Sequence, residues 1–254
     1  MSFKRQIPNI LTLLNLFSGT IAVFFAVKEQ LVLAAVFVFL GIFFDFFDGF
    51  AARLLNVQGE LGKQLDSLAD VVTSGVVPGI VMFQLISKSV YNKNWVAVDF
   101  NEVISIGDFF NSTFLISLIG FLIPLAAAFR LAKFNIDERQ TSSFIGLPTP
   151  AAALVVLSLP LILEYGTNEI TTTIILNLWF LIVLTLVICY IMNAEITLFS
   201  LKFKDYSWKN NKVKFIFIVL TAVLCVLFQF TAIPMVILLY VLASSIENVR
   251  LKTA

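Results

Sequence analysis

An all-α, polytopic membrane bundle of about eight transmembrane helices is the fold this sequence predicts, and three observations carry the prediction. Apolar and aromatic residues make up 59% of the 254 positions and charged residues only 13%, with a mean hydropathy of +0.98. That is more apolar surface than a water-soluble domain can hide. The apolar residues fall in runs near the roughly 20 helical residues needed to cross a bilayer core. Finally, the basic residues between the runs are distributed asymmetrically, as they are in membrane proteins that insert with one orientation.

The runs cover about 9–27, 31–50, 66–86, 111–132, 149–164, 171–192, 215–231 and 233–248. Pro8-Asn9 suits the start of the first helix, because a proline in a first turn loses no useful donor. Lys4 and Arg5 precede it, but the run exceeds a signal-peptide core and lacks a small-residue cleavage site, so it is read as a membrane helix. The second and third runs are joined by a short turn around 54–64, and the polar segment 87–110 forms the main external loop. Pro148 and Pro150 mark the entry to the fifth run, which, like the eighth, is short. With the N-terminus inside, all but three of the 17 Lys and Arg lie on the cytoplasmic side, the exceptions being Lys28, Lys88 and Lys93. Both termini are therefore expected in the cytoplasm, the protein in the cytoplasmic membrane, and residues 1–254 in a single domain without a soluble module or internal repeat.

Composition also excludes function classes. Lys plus Arg total 17 and Asp plus Glu 16, so the net charge of +1 offers no global attraction for nucleic acid. Histidine is absent, which removes Ser/His/Asp and Cys/His nucleophiles and imidazole metal sites. Any acid or base work falls to carboxylates. Cys189 and Cys225 lie in apolar runs without metal-ligand spacing, so neither a disulfide scaffold nor a zinc site is expected.

The apolar pattern breaks at one place, Asp45-Phe46-Phe47-Asp48-Gly49-Phe50-Ala51-Ala52-Arg53, followed by Gly62, Asp66 and Asp70. A charge at mid-membrane costs from ~2.5 to more than ~10 kcal/mol, so four acids there need compensation. Asp45 and Asp48 are spaced i, i+3, and Asp66 and Asp70 i, i+4, so each pair projects from one helix face. The short turn makes the two helices antiparallel neighbours and brings both pairs to a similar depth near the cytoplasmic surface. The result is an oxygen-rich site suited to one or two hard divalent cations, Mg²⁺ or Mn²⁺, and two such metals are a known clamp on a phosphoryl group and its leaving oxygen. Gly49, Ala52 and Gly62 remove bulk beside the acids, and Arg53 supplies a planar donor fork for phosphate. Individual aspartates could instead cap helices or pair with Arg53 and Lys63. A cation transporter would also account for intramembrane carboxylates, but it gives no reason for the glycines and arginine at fixed spacing.

Read as D-x2-D-G-x2-A-R-x8-G-x3-D-x3-D, residues Asp45 to Asp70 resemble the signature of the CDP-alcohol phosphatidyltransferase family at every position, with the spacer Leu54 to Leu61 intact. The resemblance implies an integral membrane enzyme that moves a phosphoalcohol from a cytidine diphosphate donor to an acceptor hydroxyl and releases CMP. It further implies Asp45, Asp48 and Asp66 as metal ligands, Asp70 as ligand and base, two divalent cations, Gly49, Ala52, Arg53 and Gly62 around the nucleotide, and a homodimer.

The acceptor must be read from flanking residues. Ile7-Pro8-Asn9 with Thr12-Leu13-Leu14-Asn15-Leu16-Phe17-Ser18-Gly19, Phe129 to Asn135, Gly146 to Ala152 and Leu65 to Asp70 resemble the branch of the family whose substrates are CDP-diacylglycerol and L-serine. This resemblance spans roughly 5–155, and residues 171–254 are less diagnostic. Glycerol 3-phosphate or an inositol phosphate is the alternative acceptor, since Arg130, Lys133 and Arg139 could form the basic cluster a phosphorylated acceptor needs. Arg130 and Lys133, at i, i+3 near a cytoplasmic helix end, are placed to meet a serine carboxylate or to anchor the helix in the headgroups. Asn9 and Asn15 could donate to the nucleotide, although Asn9 also suits a helix cap. The basic loop 202–214 is expected to rest on anionic membrane lipids.

Overall fold

The computed structural model describes residues 3–91, 112–137, 144–198 and 208–253. The chain runs as α1 (Phe3–Val27), α2 (Leu31–Leu54), α3 (Glu60–Asp70), a π-helical turn (Val71–Val76), α4 (Val77–Tyr91), α5 (Ser112–Ser117), a 3-10 turn (Leu118–Phe121) and α6 (Leu122–Ile136). It continues as α7 (Thr149–Tyr165), α8 (Glu169–Ile175), α9 (Leu178–Asn193), α10 (Trp208–Phe228) and α11 (Ala232–Thr253). One two-residue antiparallel pairing, β1 (Phe144–Ile145) with β2 (Thr197–Leu198), is the only sheet among the described residues. The segment expected as the external loop, beyond Tyr91, together with Arg139 and residues 202–207 of the basic loop, lies outside the described residues, and 208–214, expected as the rest of that loop, is instead the start of α10.

Over their described residues the expected apolar runs are helical except at 176–177, but fewer than eight qualify as spans by length and composition. Five stretches do so: Gln6–Val27, Leu31–Leu54, Glu60–Val90, Phe114–Ile136 and Asn211–Ile246. The pair α8 and α9, bent by 66°, makes a sixth, and α7 is apolar but only 17 residues long. The last of the five stretches folds back on itself. Gln229 adopts φ 47°, and the rings of Phe217 and Tyr240 lie 5.7 Å apart, whereas a straight helix would separate those residues by roughly 34 Å.

Two boundaries differ from the expectation. α1 begins at Phe3, so Pro8 lies inside the helix and not at its start; this close to the end, the hydrogen bond it forfeits belongs to a carbonyl that water can reach. The run 171–192 is broken at Asn177, whose side chain accepts from the Phe180 amide at 3.1 Å and starts α9 as an N-cap.

Helices α1 and α2 pack through small residues, with Ala22, Ala26, Ala34, Ala35 and Val38 fully buried. α7 is the innermost element, and every residue from Val155 to Ile162 is buried. Outward faces carry large apolar side chains such as Phe17, Phe46, Leu125, Phe129 and Val226, the pattern of a protein whose solvent is lipid tails rather than water. Lys88 Nζ pairs with Glu29 at 3.5 Å, which puts the α1–α2 turn and the end of α4 at one end of the bundle. The α2–α3 turn at 55–59 lies at the other end, where the aspartates are.

The segment entering α7 is pinned at that end too. Gly146, at φ 74°, donates its amide to Ile196 O at 2.9 Å, and Leu147 donates to Ile191 O at 3.0 Å. A side chain at Gly146 would overlap the Met192 carbonyl, so the close crossing over the end of α9 requires glycine. Pro148 and Pro150 then open α7 as expected.

Candidate active site

The last turns of α2 present Asp45 and Asp48, and α3 presents Asp66 across the short turn. One carboxylate oxygen from each lies within 4.8 Å of the others. Asp66 Oδ1 is buried without a hydrogen-bond partner. Three ionised carboxylates so close, one with an orphaned oxygen, repel each other, and a cation among them would relieve that repulsion. The all-oxygen donor set suits Mg²⁺ or Mn²⁺, so the residues present fit a divalent cation.

Asp70 stands apart from that trio. It lies one turn further along α3, is buried, and accepts from Asn15 Nδ2 at 3.3 Å. Helix α1 also reaches Asp48, whose Oδ2 accepts from the Thr12 hydroxyl at 2.5 Å.

A cavity of about 820 Å³ opens beside Asp48 and Asp66 and is lined by Asn9, Gly49, Ala52, Arg53 and Gly62 together with Gln6, Thr12, Gln58, Lys63 and Phe134. All the residues expected around a nucleotide are there except Asn15, which is fully buried and directed at Asp70. The two signature glycines are not demanded by the protein's own packing. A Cβ on Gly49 would meet the Arg53 guanidinium at 3.5 Å, and one on Gly62 would meet Asn9 Oδ1 at 3.5 Å, both ordinary contacts. Their missing side chains leave room in the cavity rather than in the fold.

The cations occupy distinct places. Arg53 is exposed and lines the cavity. Lys63 Nζ donates to Asn135 O at 2.5 Å, and Asn135 Nδ2 donates to Ser67 Oγ at 2.9 Å, tying α3 to the C-terminal end of α6. Arg130 is buried within electrostatic reach of Asp70, its guanidinium lies 5.9 Å from the Phe134 ring centroid, and its Nε has no hydrogen-bond partner. Lys133, by contrast, pairs with Glu195 at 3.4 Å. Although three residues apart, Arg130 and Lys133 reach different places. The sequence does not single out Thr12 as a site residue; its one signal there is its place at the head of the flanking segment Thr12 to Gly19.

A membrane-embedded helical protein with clustered carboxylates beside a cavity of nucleotide size defines a class, and comparison with known proteins specifies it. Residues 5–187 match the CDP-alcohol phosphatidyltransferase family, and the chain belongs to that family. It is a phosphatidyltransferase. The match continues past residue 155, where the flanking resemblance ends. The chain is similar to the CDP-diacylglycerol--serine O-phosphatidyltransferase of Bacillus subtilis (strain 168), 33% identical over 168 residues covering 64% of this chain and 82% of the relative. A protein of the same name from Helicobacter pylori (strain J99) is 32% identical over 59% of this chain and 55% of its own length. The archaetidylserine synthase of Methanothermobacter thermautotrophicus is 31% identical over 60% of this chain and 56% of its own length. The chain thus spans just over half of these last two relatives.

Proposed function

We propose that the protein transfers the phosphatidyl group of CDP-diacylglycerol to the hydroxyl of L-serine, giving phosphatidylserine and CMP, with Asp45, Asp48 and Asp66 holding divalent cations. The observation that carries this reading is the carboxylate trio, of which Asp48 and Asp66 line a cavity whose small signature residues leave space that the fold itself does not need. The relatives' names support the acceptor: all three specify serine, while the lipid part differs between the bacterial and the archaeal protein. The positive-inside pattern supports both termini and the cavity at the cytoplasmic face, with eight crossings that include the short α7 and the bent α8–α9 pair.

In this reading the cytidine and pyrophosphate occupy the cavity. Arg53 grips phosphate through its planar fork, and Asn9 offers its amide to the nucleotide. Bound divalent cations would neutralise charge on the pyrophosphate. Arg130, buried beside Asp70 with an unsatisfied Nε, meets the serine carboxylate and places the hydroxyl against Asp70. The serine Oγ attacks the phosphorus that carries diacylglycerol and an O–P bond forms. The P–O bond to CMP breaks, CMP leaves with the electron pair, and Asp70 takes the hydroxyl proton. Lys133, held by Glu195, fixes the helix end.

The test is CMP release by purified protein given CDP-diacylglycerol, Mn²⁺ or Mg²⁺ and a panel of acceptors. Serine is expected to support release, and glycerol 3-phosphate and inositol phosphate are not. Release with either phosphorylated acceptor alone would overturn the serine assignment and leave the family reaction standing.

A further inference from the structure

We infer that Thr73, which lies outside the aspartate signature, is a positioning residue that sets the Asp70 carboxylate through Asn15; the inference rests on the reaction proposed above. Asp70 is the last residue of α3, and the chain continues directly into the π turn Val71–Val76, closed by a bond from the Val77 amide to Val72 O. A π turn is wide and recurs at functional sites. Helices α1 and α2 both pack against it.

Those contacts converge on Thr73, which is fully buried. Its hydroxyl donates to Asn15 O at 3.3 Å, the carbonyl that an α-helix otherwise offers to Gly19 alone. Asn15 in turn donates its side-chain amide to Asp70 Oδ1 at 3.3 Å. Asn15 is therefore gripped from two sides by residues three positions apart on the neighbouring chain segment. Both bonds are at the long end of the range and individually weak.

Stiffness comes from the glycines on either side. A Cβ on Gly19 of α1 would overlap Thr73 Oγ1, and one on Gly41 of α2 would come 2.7 Å from Thr73 Cγ2 and 2.8 Å from Asn15 Oδ1. Thr73 is a knob seated between two glycine notches, and Gly41 also leaves space for the Asn15 amide. Asn15 Oδ1 has no partner, so the orientation of the amide is dictated by its single bond to Asp70 and by this close packing. The arrangement acts on the carboxylate that is to receive the serine proton, without touching the substrate.

The experiment compares Thr73→Ser, Thr73→Ala and Thr73→Val for kcat, KM and thermal unfolding midpoint, alone and combined with Asn15→Ala. Thr73→Ala and Thr73→Val are expected to lower kcat about tenfold at unchanged KM for CDP-diacylglycerol, while Thr73→Ser stays within about threefold of wild type. In the Asn15→Ala background the Thr73 changes should cost nothing further. A packing role alone would rank the variants by volume, with Val closest to wild type. That ranking, multiplicative losses in the double variants, or normal kcat in Thr73→Ala would overturn the inference. If Thr73→Val does not fold, the Ala and Ser pair decides the question. Should the wild type release CMP only with another acceptor, the serine reading fails and the Thr73 comparison is made with that acceptor.

Discussion

Thr12 on α1 donates its hydroxyl to Asp48 Oδ2 on α2 at 2.5 Å, while lying 3.1 Å from the Pro8 carbonyl of its own helix. The bond reaches a carboxylate of the proposed metal site from a helix that contributes no acid to it. It fixes the turn of the Asp48 carboxylate toward Asp45 and Asp66, the role that hydrogen bonds from outside the ligand set play at metal centres.

Thr12→Val keeps the branched shape and removes the donor. Turnover at saturating CDP-diacylglycerol should fall about 10–100-fold, and Thr12→Ser should retain most of it. Equal activity in Thr12→Val and wild type would show that the carboxylate trio orients Asp48 unaided.

Asp45→Asn, Asp48→Asn and Asp66→Asn should each reduce CMP release by about 10²–10³-fold, since each removes anionic charge from a site that must neutralise a pyrophosphate. Binding provides a second readout. Mn²⁺ should raise the thermal unfolding midpoint of the wild type by relieving repulsion within the trio, and this rise should be lost in Asp66→Asn. Activity that survives exhaustive chelation would rule out metal dependence.

Gly49→Ala and Gly62→Ala are expected to leave the unfolding midpoint unchanged and to raise KM for CDP-diacylglycerol, because their Cβ atoms would enter the cavity at ordinary contact distances. Gly19→Ala and Gly41→Ala should instead lower stability, with an overpacking cost of about 1–3 kcal/mol. Parallel thermal unfolding and kinetics separate the two pairs. A large loss of stability in Gly49→Ala would mean that the glycine serves the fold.

Much of this site is legible in the residue spacing alone. The i, i+3 and i, i+4 intervals put the aspartates on facing helix surfaces, and a short connection forces those helices together. The separation of Asp70 from the other three is not legible, because it depends on how α1 inserts Asn15 beside it. Thr12 and Thr73 escape for the same reason: their partners are 36 and 58 residues away, and no local pattern reports a contact at that range. Arg130 and Lys133 share a helix face, yet long side chains end where their partners are, one near Asp70 and the other on Glu195. The break at Asn177 does leave a signal, an N-cap residue inside an apolar run, but hydropathy alone reads through it.

That divergence of Arg130 and Lys133 makes the acceptor testable. Arg130→Ala should raise KM for serine well beyond KM for CDP-diacylglycerol, whereas Lys133→Ala should affect both slightly and equally. The exposed Lys133–Glu195 pair contributes at most about 1 kcal/mol. A serine-specific defect in Lys133→Ala would return that residue to the acceptor site.

In the proposed reaction, removal of the acceptor proton falls to Asp70. A serine hydroxyl is a weak nucleophile near neutral pH, and without histidine its proton needs a carboxylate. Asp70→Asn preserves the carbonyl oxygen that receives the Asn15 amide, so the local geometry survives while the base is lost. The variant should still bind CDP-diacylglycerol but release CMP with serine about 10²–10⁴-fold more slowly. Direct attack also requires both substrates to be present together, so the wild type should not exchange labelled CMP into CDP-diacylglycerol when serine is withheld. Binding is measured by displacement of a labelled nucleotide lipid, and exchange by incorporation of labelled CMP. Rapid serine-independent exchange, or a lipid-phosphoryl adduct trapped on any side chain, would establish a covalent intermediate and remove Asp70 from the role of acceptor base.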